Sequence, residues 1–496
     1  MRQRDGFLRG RQRLLLAVPM RLLAPLLLGI TGVALAAPAA PPTTPLAKAT
    51  AALDALWATF WSPQAQYLLR DAGAPPAAPS AGDLLGFWNY QEATHAMALG
   101  ASLDYEKYGP KLKAMIAGQA AMDSTRQPDT GTGPGPAGTD GWTRPFFDDM
   151  NWAELALLSA HEAAAAAGDA DFAEGLLIGS TNTSVRNIFG GVAAGRARRP
   201  FPQTISSAWD ITDCGGGVYW DRKKTQKATA SNAGPALSST LFAQTLNVTK
   251  STDPEANWRE VMAEEYTQWG AKVYSFWNST MTDAATGQVT DHLAVHAGSC
   301  SKSSPSESFT YNEGLMVRPT PTRSLPTRSL QPPACCSIQF DSTLHLSSRC
   351  CACSQLGAAT ALGYEADAAR FATRLTSAYV KPATPGGPHV LSDSCEASCT
   401  GMDCPSFKGV AVRELARWLK SPLAAKRPSL KARAAQLLAD SAAAVWDNAR
   451  GQGQHGPLFS SRWAKCTSGD CKACGFEAAA HTSAVFALLT QVDIIG

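Results

Sequence analysis

The chain lacks an excess of charge of either sign. Its 44 Lys and Arg face 41 Asp and Glu, giving a net charge of +3 over 496 residues. A protein that grips a phosphate backbone carries a basic face, so no nucleic-acid partner is expected. Beyond Ala37 there is no apolar run near the roughly 20 residues that a spanning helix needs. No Gly-Lys-Ser/Thr follows the Gly-rich segment at Gly215–Gly217, which excludes a phosphate loop. Strands alternating with helices are missing, and with them the signature of a parallel-sheet enzyme. No period of about 30–50 residues marks a helical solenoid. The end of the chain, Val492-Asp-Ile-Ile-Gly496, has neither the polar spacer nor the long apolar tail of a GPI signal.

Charged residues are few, 17%, against 45% hydrophobic ones, a globular composition with ample core and not a disordered one. Tryptophan is over-supplied: 13 Trp outnumber 10 Tyr. They form either a Trp-rich core or a groove that stacks flat apolar faces, sugar rings among them.

The first residues read as a targeting segment. Six arginines between Arg2 and Arg21 precede the apolar run Leu22–Ala37, which contains the small-residue site Ala34-Leu-Ala36. This is the order of a secretory signal peptide, assigned to residues 1–36; a type II membrane anchor is the alternative. A Pro/Ala-rich linker is expected over 37–50, and one folded domain over 51–496. Three sequons, at Asn182, Asn247 and Asn278, fit a secreted chain.

Cysteine is present in odd number, 13 in all, and five of these crowd into residues 318–355. That stretch opens with Pro-Thr-Arg-Ser-Leu twice and has no helical period, although its flanks do. It reads as a retained intron or gene-model error, or else as a surface insertion. Without it eight cysteines remain (Cys214, Cys300, Cys395, Cys399, Cys404, Cys466, Cys471, Cys474), enough for four disulfides in an oxidising compartment. Their spacings are not those of a standard zinc module, so no metal site is assigned.

The mature chain reads as helices joined by Gly/Pro-rich loops. Helical stretches are expected over 49–60, 91–103, 110–122, 149–167, 169–178, 224–246, 255–280, 310–317, 355–362, 365–380, 407–419, 429–448 and 476–491. If residues 318–355 are foreign, 310–317 and 355–362 are halves of one helix. About a dozen helices suit an all-α double ring, inner helices covered by outer ones.

Chemistry concentrates in a few segments. In Arg144-Pro-Phe-Phe-Asp-Asp-Met-Asn-Trp152 two adjacent aspartates follow two phenylalanines and open a helix. One Asp there is explained as an N-cap; two are explained less well. A buried carboxylate pair is an acid/base device, because like charges push the two pKa values apart, and glycoside hydrolysis needs such a pair. Asp213-Cys-Gly-Gly-Gly-Val-Tyr-Trp220 combines glycines that permit close approach with a Tyr–Trp platform. Phe309-Thr-Tyr-Asn-Glu-Gly314, Phe407-Lys-Gly409 and Gly475-Phe-Glu-Ala-Ala-Ala-His-Thr-Ser-Ala484 are each, taken alone, explained by packing and capping.

In this order the segments resemble glycoside hydrolase family 76, the endo-α-1,6-mannanase family, over about Ala51–Val492 apart from the insert. The family's Asp-Asp matches Asp148-Asp149, its Gly-Gly-x-Trp-Trp matches Gly216-Gly-Val-Tyr-Trp220, and its Thr-Tyr-Asn-Gln-Gly matches Thr310–Gly314. Its Phe-Lys-Gly matches Phe407–Gly409, and its Gln-Thr-Ser-Ala matches His481–Ala484. Two departures, Glu313 and His481 for Gln, leave the Asp pair intact but bear on subsite preference. The resemblance implies a single-domain (α/α)6 barrel and a monomer that cleaves α-1,6-mannosidic bonds with retention and without a cofactor. Asp148 would be the nucleophile and Asp149 the general acid/base. Asp213, Gly216, Tyr219, Trp220, Tyr311 and Asn312 would bind a polysaccharide or oligosaccharide. Transglycosylation, as in fungal cell-wall members, and sugar binding without catalysis are the alternatives. The expected place is outside the cell or in its wall, with no stable membrane span after signal cleavage.

Overall fold

The computed structural model describes residues 42–73, 78–122, 146–179, 184–189, 205–248, 257–296, 299–305, 307–317, 365–397, 403–453, 456–465 and 475–492. Residues 1–36, read as a signal peptide, the stretch 318–355 and the helical stretch expected over 355–362 lie outside them.

The described helices are α1 (Pro45–Phe60), α2 (Phe87–Leu103), α3 (Tyr105–Ala121), α4 (Phe147–Ala166), α5 (Ala170–Ile178), α6 (Val185–Phe189), α7 (Thr229–Val248), α8 (Asn257–Thr280) and α9 (Thr310–Val317). They continue with α10 (365–375), α11 (Cys404–Lys420), α12 (Pro422–Ala425), α13 (Pro428–Ala444) and α14 (Ala478–Leu489). Helices α2, α4, α7, α9, α11 and α14 each pack on the next, and α14 closes back on α2. Outside this ring α1 covers α14, α3 covers α2, α5 covers α4, α8 covers α7 and α13 covers α11. Helix α10 reaches α9 through Arg374, whose Nε donates to Glu313 Oε1 at 2.8 Å. This is the (α/α)6 double ring. The described strands are short and antiparallel: β1 (Trp61–Ser62) with β2 (Tyr67–Leu68), the sheet β3–β4–β5 (Gln226–Ala228, His292–His296, Ser299–Lys302), β6 (Val380–Pro382) with β7 (His389–Leu391), and β8 (Arg450–Gly453) with β9 (Gly456–Phe459).

Several boundaries differ from those expected, each for a local reason. Residues 45–50, read as linker, are helical: Thr44 caps α1 by accepting from the Ala47 N–H at 3.2 Å, and Pro45 takes the first helical position, where its missing N–H costs nothing. Pro110, read as a helix start, lies inside α3, which begins at Tyr105 under the cap of Asp104. The helix expected from Lys224 begins only at Thr229, because 226–228 pair with β4.

An inner helix has a neighbour on every side. All twelve residues of α14 are buried, and α2, α4 and α11 are nearly so. Their polar side chains must therefore find partners inside. Arg413 of α11 donates to Glu92 of α2 at 2.5 Å and to Glu414 at 2.7 Å, and Arg417 donates to Glu414 at 3.0 Å. Removing one member would leave an uncompensated buried charge.

Cys214–Cys300 and Cys395–Cys404 are disulfide-bonded. Cys399, Cys466, Cys471 and Cys474 lie outside the described residues, as does the Asn182 sequon. The other two sequons fall within helices, Asn247 in α7 and Asn278 in α8. The Asn278 amide donates to Asp367 at 3.2 Å and accepts from Arg370 at 3.2 Å, so a glycan there would have to displace the α8–α10 contact. Among the described residues no helix is long and apolar enough to cross a membrane.

Gly314 lets α9 lie against α11: a Cβ at this position would come 2.7 Å from Ala411 Cα, backbone that cannot step aside. Gly314→Ala should therefore lower stability by about 1–3 kcal/mol, the usual cost of overpacking. Urea unfolding measures this; an unchanged midpoint and slope would contradict the close approach.

Candidate active site

The N-terminal turns of four inner helices, α2, α4, α9 and α11, meet at one end of the ring. Trp88 (α2) lies 5.6 Å from Trp152 (α4) and 6.0 Å from Phe407 (α11), ring centroid to ring centroid. Tyr311 (α9) lies 4.4 Å from Phe407 and 6.5 Å from Trp152. Helix N-termini carry partial positive charge, so this mouth favours carboxylates.

Both aspartates of the pair lie here, and neither is an N-cap. Phe146 holds that position with no side-chain cap. Its backbone forms an isolated bridge with Asp221, and the Phe147 N–H donates to the Trp220 carbonyl at 2.8 Å. These contacts clip the start of α4 onto the 216–221 segment and place Trp220 beside the pair. The Trp220 ring stacks on Phe146 at 4.3 Å, and its Nε1 donates to Asp148 Oδ2 at 3.1 Å. Asp148 Oδ1 is buried without a hydrogen-bond partner, and Asp149 is 6% exposed. Burial raises the Asp148 carboxyl to about 7; the Trp220 indole and the nearby first-turn N–H groups oppose the rise, and the charge of Asp403 adds to it.

Tyr311 and Asn312 share one anchor. The Tyr311 hydroxyl and the Asn312 amide each donate to Asp291 Oδ1 at 2.9 Å, while His292 Nδ1 lies 3.1 Å from Oδ2. Burial holds the Tyr311 phenol neutral, reinforced by the charges of Asp291, Asp148 and Asp403. Asp403 stands exposed just before α11 and accepts from Trp88 Nε1 at 2.5 Å.

The glycine segment has a different part. Tyr219 is buried and its hydroxyl donates to the Asp213 carboxylate. Lys227 Nζ donates to the carbonyls of Asp210 (3.0 Å), Asp213 (2.6 Å) and Gly216 (2.5 Å). Desolvation lowers this ammonium to about 8. Gly217 has φ +101°, and a Cβ there would overlap Phe276 at 2.3 Å. The Val218 N–H donates to Asn232 Oδ1 at 2.8 Å. Thus Asp213, Gly216 and Tyr219 are engaged in holding this loop, and Trp220 is the residue of the segment that touches Asp148. Of the eight residues expected to form the site, Asp148, Asp149, Trp220, Tyr311 and Asn312 gather at the mouth.

Glu313 and His481 turn away from it. Glu313 pairs with Arg374 of α10, and burial raises its carboxyl to about 7. His481 Nε2 donates to the Ala52 carbonyl of α1 at 2.8 Å, and burial lowers the imidazole to about 4, so it is neutral. Both contacts join inner to outer helices. Trp88, Asp291 and Asp403 were not singled out from sequence. Trp88 signals itself only through the high Trp count, Asp291 sits in an unremarkable loop, and Asp403 is masked by its neighbouring cysteine.

Fold and mouth together define an (α/α)6-barrel protein with an aspartate pair, half-buried and buried, in the first turn of one inner helix, α4. Residues 196–319 match the sequence model of glycosyl hydrolase family 76, which bears out over that segment the resemblance read from the motifs. No curated protein matches. The fold is similar to that of an α-1,6-mannanase from a Salegentibacter species, an inactive variant with two adjacent aspartates replaced by alanine, in complex with an α-1,6-mannotetraose; identity is 16%, coverage 91% of this chain and 100% of that one, and TM-score 0.56. A family 76 mannosidase from Bacteroides thetaiotaomicron gives 14% identity, coverage of 91% and 98%, and TM-score 0.56. A family 76 α-mannanase from the same organism gives 12%, 90% and 95%, and 0.55.

Trp220→Phe keeps the stack on Phe146 and removes the indole N–H from Asp148. That hydrogen bond favours the carboxylate, so its loss should move the Asp148 titration further upward. Carboxyl-carbon NMR of labelled protein would read this; a downward or absent shift would refute the assignment of the contact.

Proposed function

We propose that the chain is a secreted glycoside hydrolase that cleaves α-1,6-mannosidic linkages with retention of configuration. The observation that carries this reading is the pair Asp148–Asp149, the first half-buried with one carboxylate oxygen enclosed and the second buried, set in the first turn of α4 with Trp220 on one carboxylate and aromatic rings around the mouth. The adjacent aspartates replaced in the inactive mannanase of similar fold, and the mannooligosaccharide bound to that protein, support the substrate class. Two disulfides support an oxidising destination.

In the first step Asp149 gives its proton to the glycosidic oxygen while the Asp148 carboxylate attacks the anomeric carbon. The sugar–oxygen bond breaks, the leaving sugar departs as an alcohol, and a mannosyl ester forms on Asp148. In the second step the Asp149 carboxylate takes a proton from water as the water oxygen attacks the anomeric carbon and releases Asp148. Retaining enzymes keep their carboxyls about 5–5.5 Å apart. Consecutive residues, with Cα atoms about 3.8 Å apart, suit that short separation better than the wider spacing that admits a water. Tyr311, Asn312 and Trp220 line the sugar-binding mouth, and the Gly216–Tyr219 segment with Asp213 supports it from behind.

Asp148→Asn and Asp149→Asn should each cut turnover on α-1,6-mannooligosaccharides by on the order of a hundredfold or more while the fold persists. Time-resolved proton NMR of the wild-type reaction should show the α anomer first. A folded variant with near-normal turnover, or initial β anomer, would overturn the roles.

The pH profile separates the two aspartates. A nucleophile must be ionised, and the Asp148 carboxyl is raised to about 7. Activity that depends on the carboxylate is full above that value and lost as pH falls through it. The acid limb of kcat/KM should therefore lie near 7, well above an ordinary aspartate. A loss of kcat/KM as pH rises through the same range would make Asp148 the proton donor instead.

A further inference from the structure

We propose that Asp403 and Trp88 form a sugar-binding wall facing Asp148, with Trp88 offering an apolar ring to one mannosyl unit and Asp403 accepting hydrogen bonds from its hydroxyls. This deepens the reading of the same mouth as a mannan-cleaving site and rests on it.

The first argument is conformational. Asp403 occupies the N-cap position of α11, where an aspartate ordinarily turns back to accept a backbone N–H of the first turn. Here it makes no side-chain cap. Its carboxylate instead accepts the Trp88 indole N–H from α2 at 2.5 Å, and the residue is exposed. Helix capping therefore does not account for its orientation. The second argument is position. Phe407, one turn into α11, stacks near both Trp88 and Tyr311, so the start of α11 borders the mouth. The charge of Asp403 bears on both Asp148 and Tyr311, so it stands near them at the mouth. The third is rigidity. The next residue, Cys404, is bonded to Cys395, and Asp403 is thus pinned on one side by a disulfide and on the other by the indole.

A pinned carboxylate beside a partly buried tryptophan is well suited to a pyranose. The ring's C–H face packs on an aromatic surface, and its hydroxyls donate to an acceptor-only group. Hydrogen bonds to a charged acceptor are worth about 1.5–3 kcal/mol, or roughly tenfold and upward in affinity. No bond is made or broken at this wall; it binds.

The test uses the full chain with Asp149→Asn to stop turnover, and α-1,6-mannotetraose as the probe, by calorimetry. Adding Asp403→Asn should weaken binding about tenfold or more, and adding Trp88→Ala should do the same. A second readout uses enzymes with Asp149 intact. Facing Asp148 are Asp149 on its own helix, Asp403 before α11, Tyr311 of α9 and the Trp220 indole. Of these, Asp403→Asn removes one like charge, so the acid limb of kcat/KM should move to lower pH, which a purely structural role would not produce. Asp403→Glu keeps the charge and should restore the wild-type limb. Unchanged affinity in Asp403→Asn, or an acid limb that stays in place, overturns the proposal. If Asp403→Asn fails to fold, Trp88→Ala decides: binding equal to that of the Asp149→Asn parent overturns it. If the parent itself does not bind the tetrasaccharide, the substrate reading falls and the proposal with it. A parent that binds, with variants that bind equally well, sinks the proposal alone.

Discussion

The six inner helices close into a ring, and their described side chains are mostly buried. Much else in the structure follows from this constraint. Their buried charges are paired within the protein, which is why Arg413 reaches Glu92 and Glu414 and why Arg374 meets Glu313 from the outer layer. Helix axes must come close, which is why Gly314 lies against the Ala411 backbone. Because the N-terminal turns of α2, α4, α9 and α11 meet, one end of the ring also collects Trp88, Asp148, Trp152, Tyr311 and Phe407, residues far apart in sequence.

That convergence gives the aspartate pair its chemistry. Helix N-termini favour negative charge, while burial disfavours it, and Asp148 is held between the two. Burial prevails and the carboxyl rises to about 7. The Trp220 indole is the counterweight. It reaches Asp148 because Phe146 and Phe147 are tied by backbone contacts to Asp221 and Trp220. Lys227 stabilises the turn behind, with three carbonyls accepting from one ammonium and the Cys214–Cys300 bond close by. The site is thus a helix start and a braced loop held in register, and the brace is as much a part of it as the carboxylates.

The two departures from the family pattern show how the same double ring absorbs change. Glu313 and His481 stand on inner helices yet face outward, where each joins the outer layer: Glu313 to Arg374, His481 to the Ala52 carbonyl. At such positions a polar residue is judged by the partner that satisfies it. Neither residue takes its partner from the mouth, so the expected effect on subsite preference has no direct contact to act through.

The sequence by itself determined the helical class, the approximate place of most described helices, and the adjacent aspartates with their companion segments. These are properties of local spacing and composition, and a chain shows them without folding. Helix starts were less legible. The caps at Thr44 and Asp104, on outer helices, act through a few hydrogen bonds that periodicity does not register, and the start of α7 is set by the pairing of 226–228 with β4. Only the tertiary structure decided that neither aspartate is a cap, that Tyr219 and Asp213 hold a loop while Trp220 touches Asp148, and that Trp88, Asp291 and Asp403 stand with them. Those assignments depend on which side chains meet in space, at sequence separations from 6 residues for Asp213–Tyr219 through 72 for Asp148–Trp220 to 315 for Trp88–Asp403, and on how deeply each carboxylate is buried. Ring closure sets both.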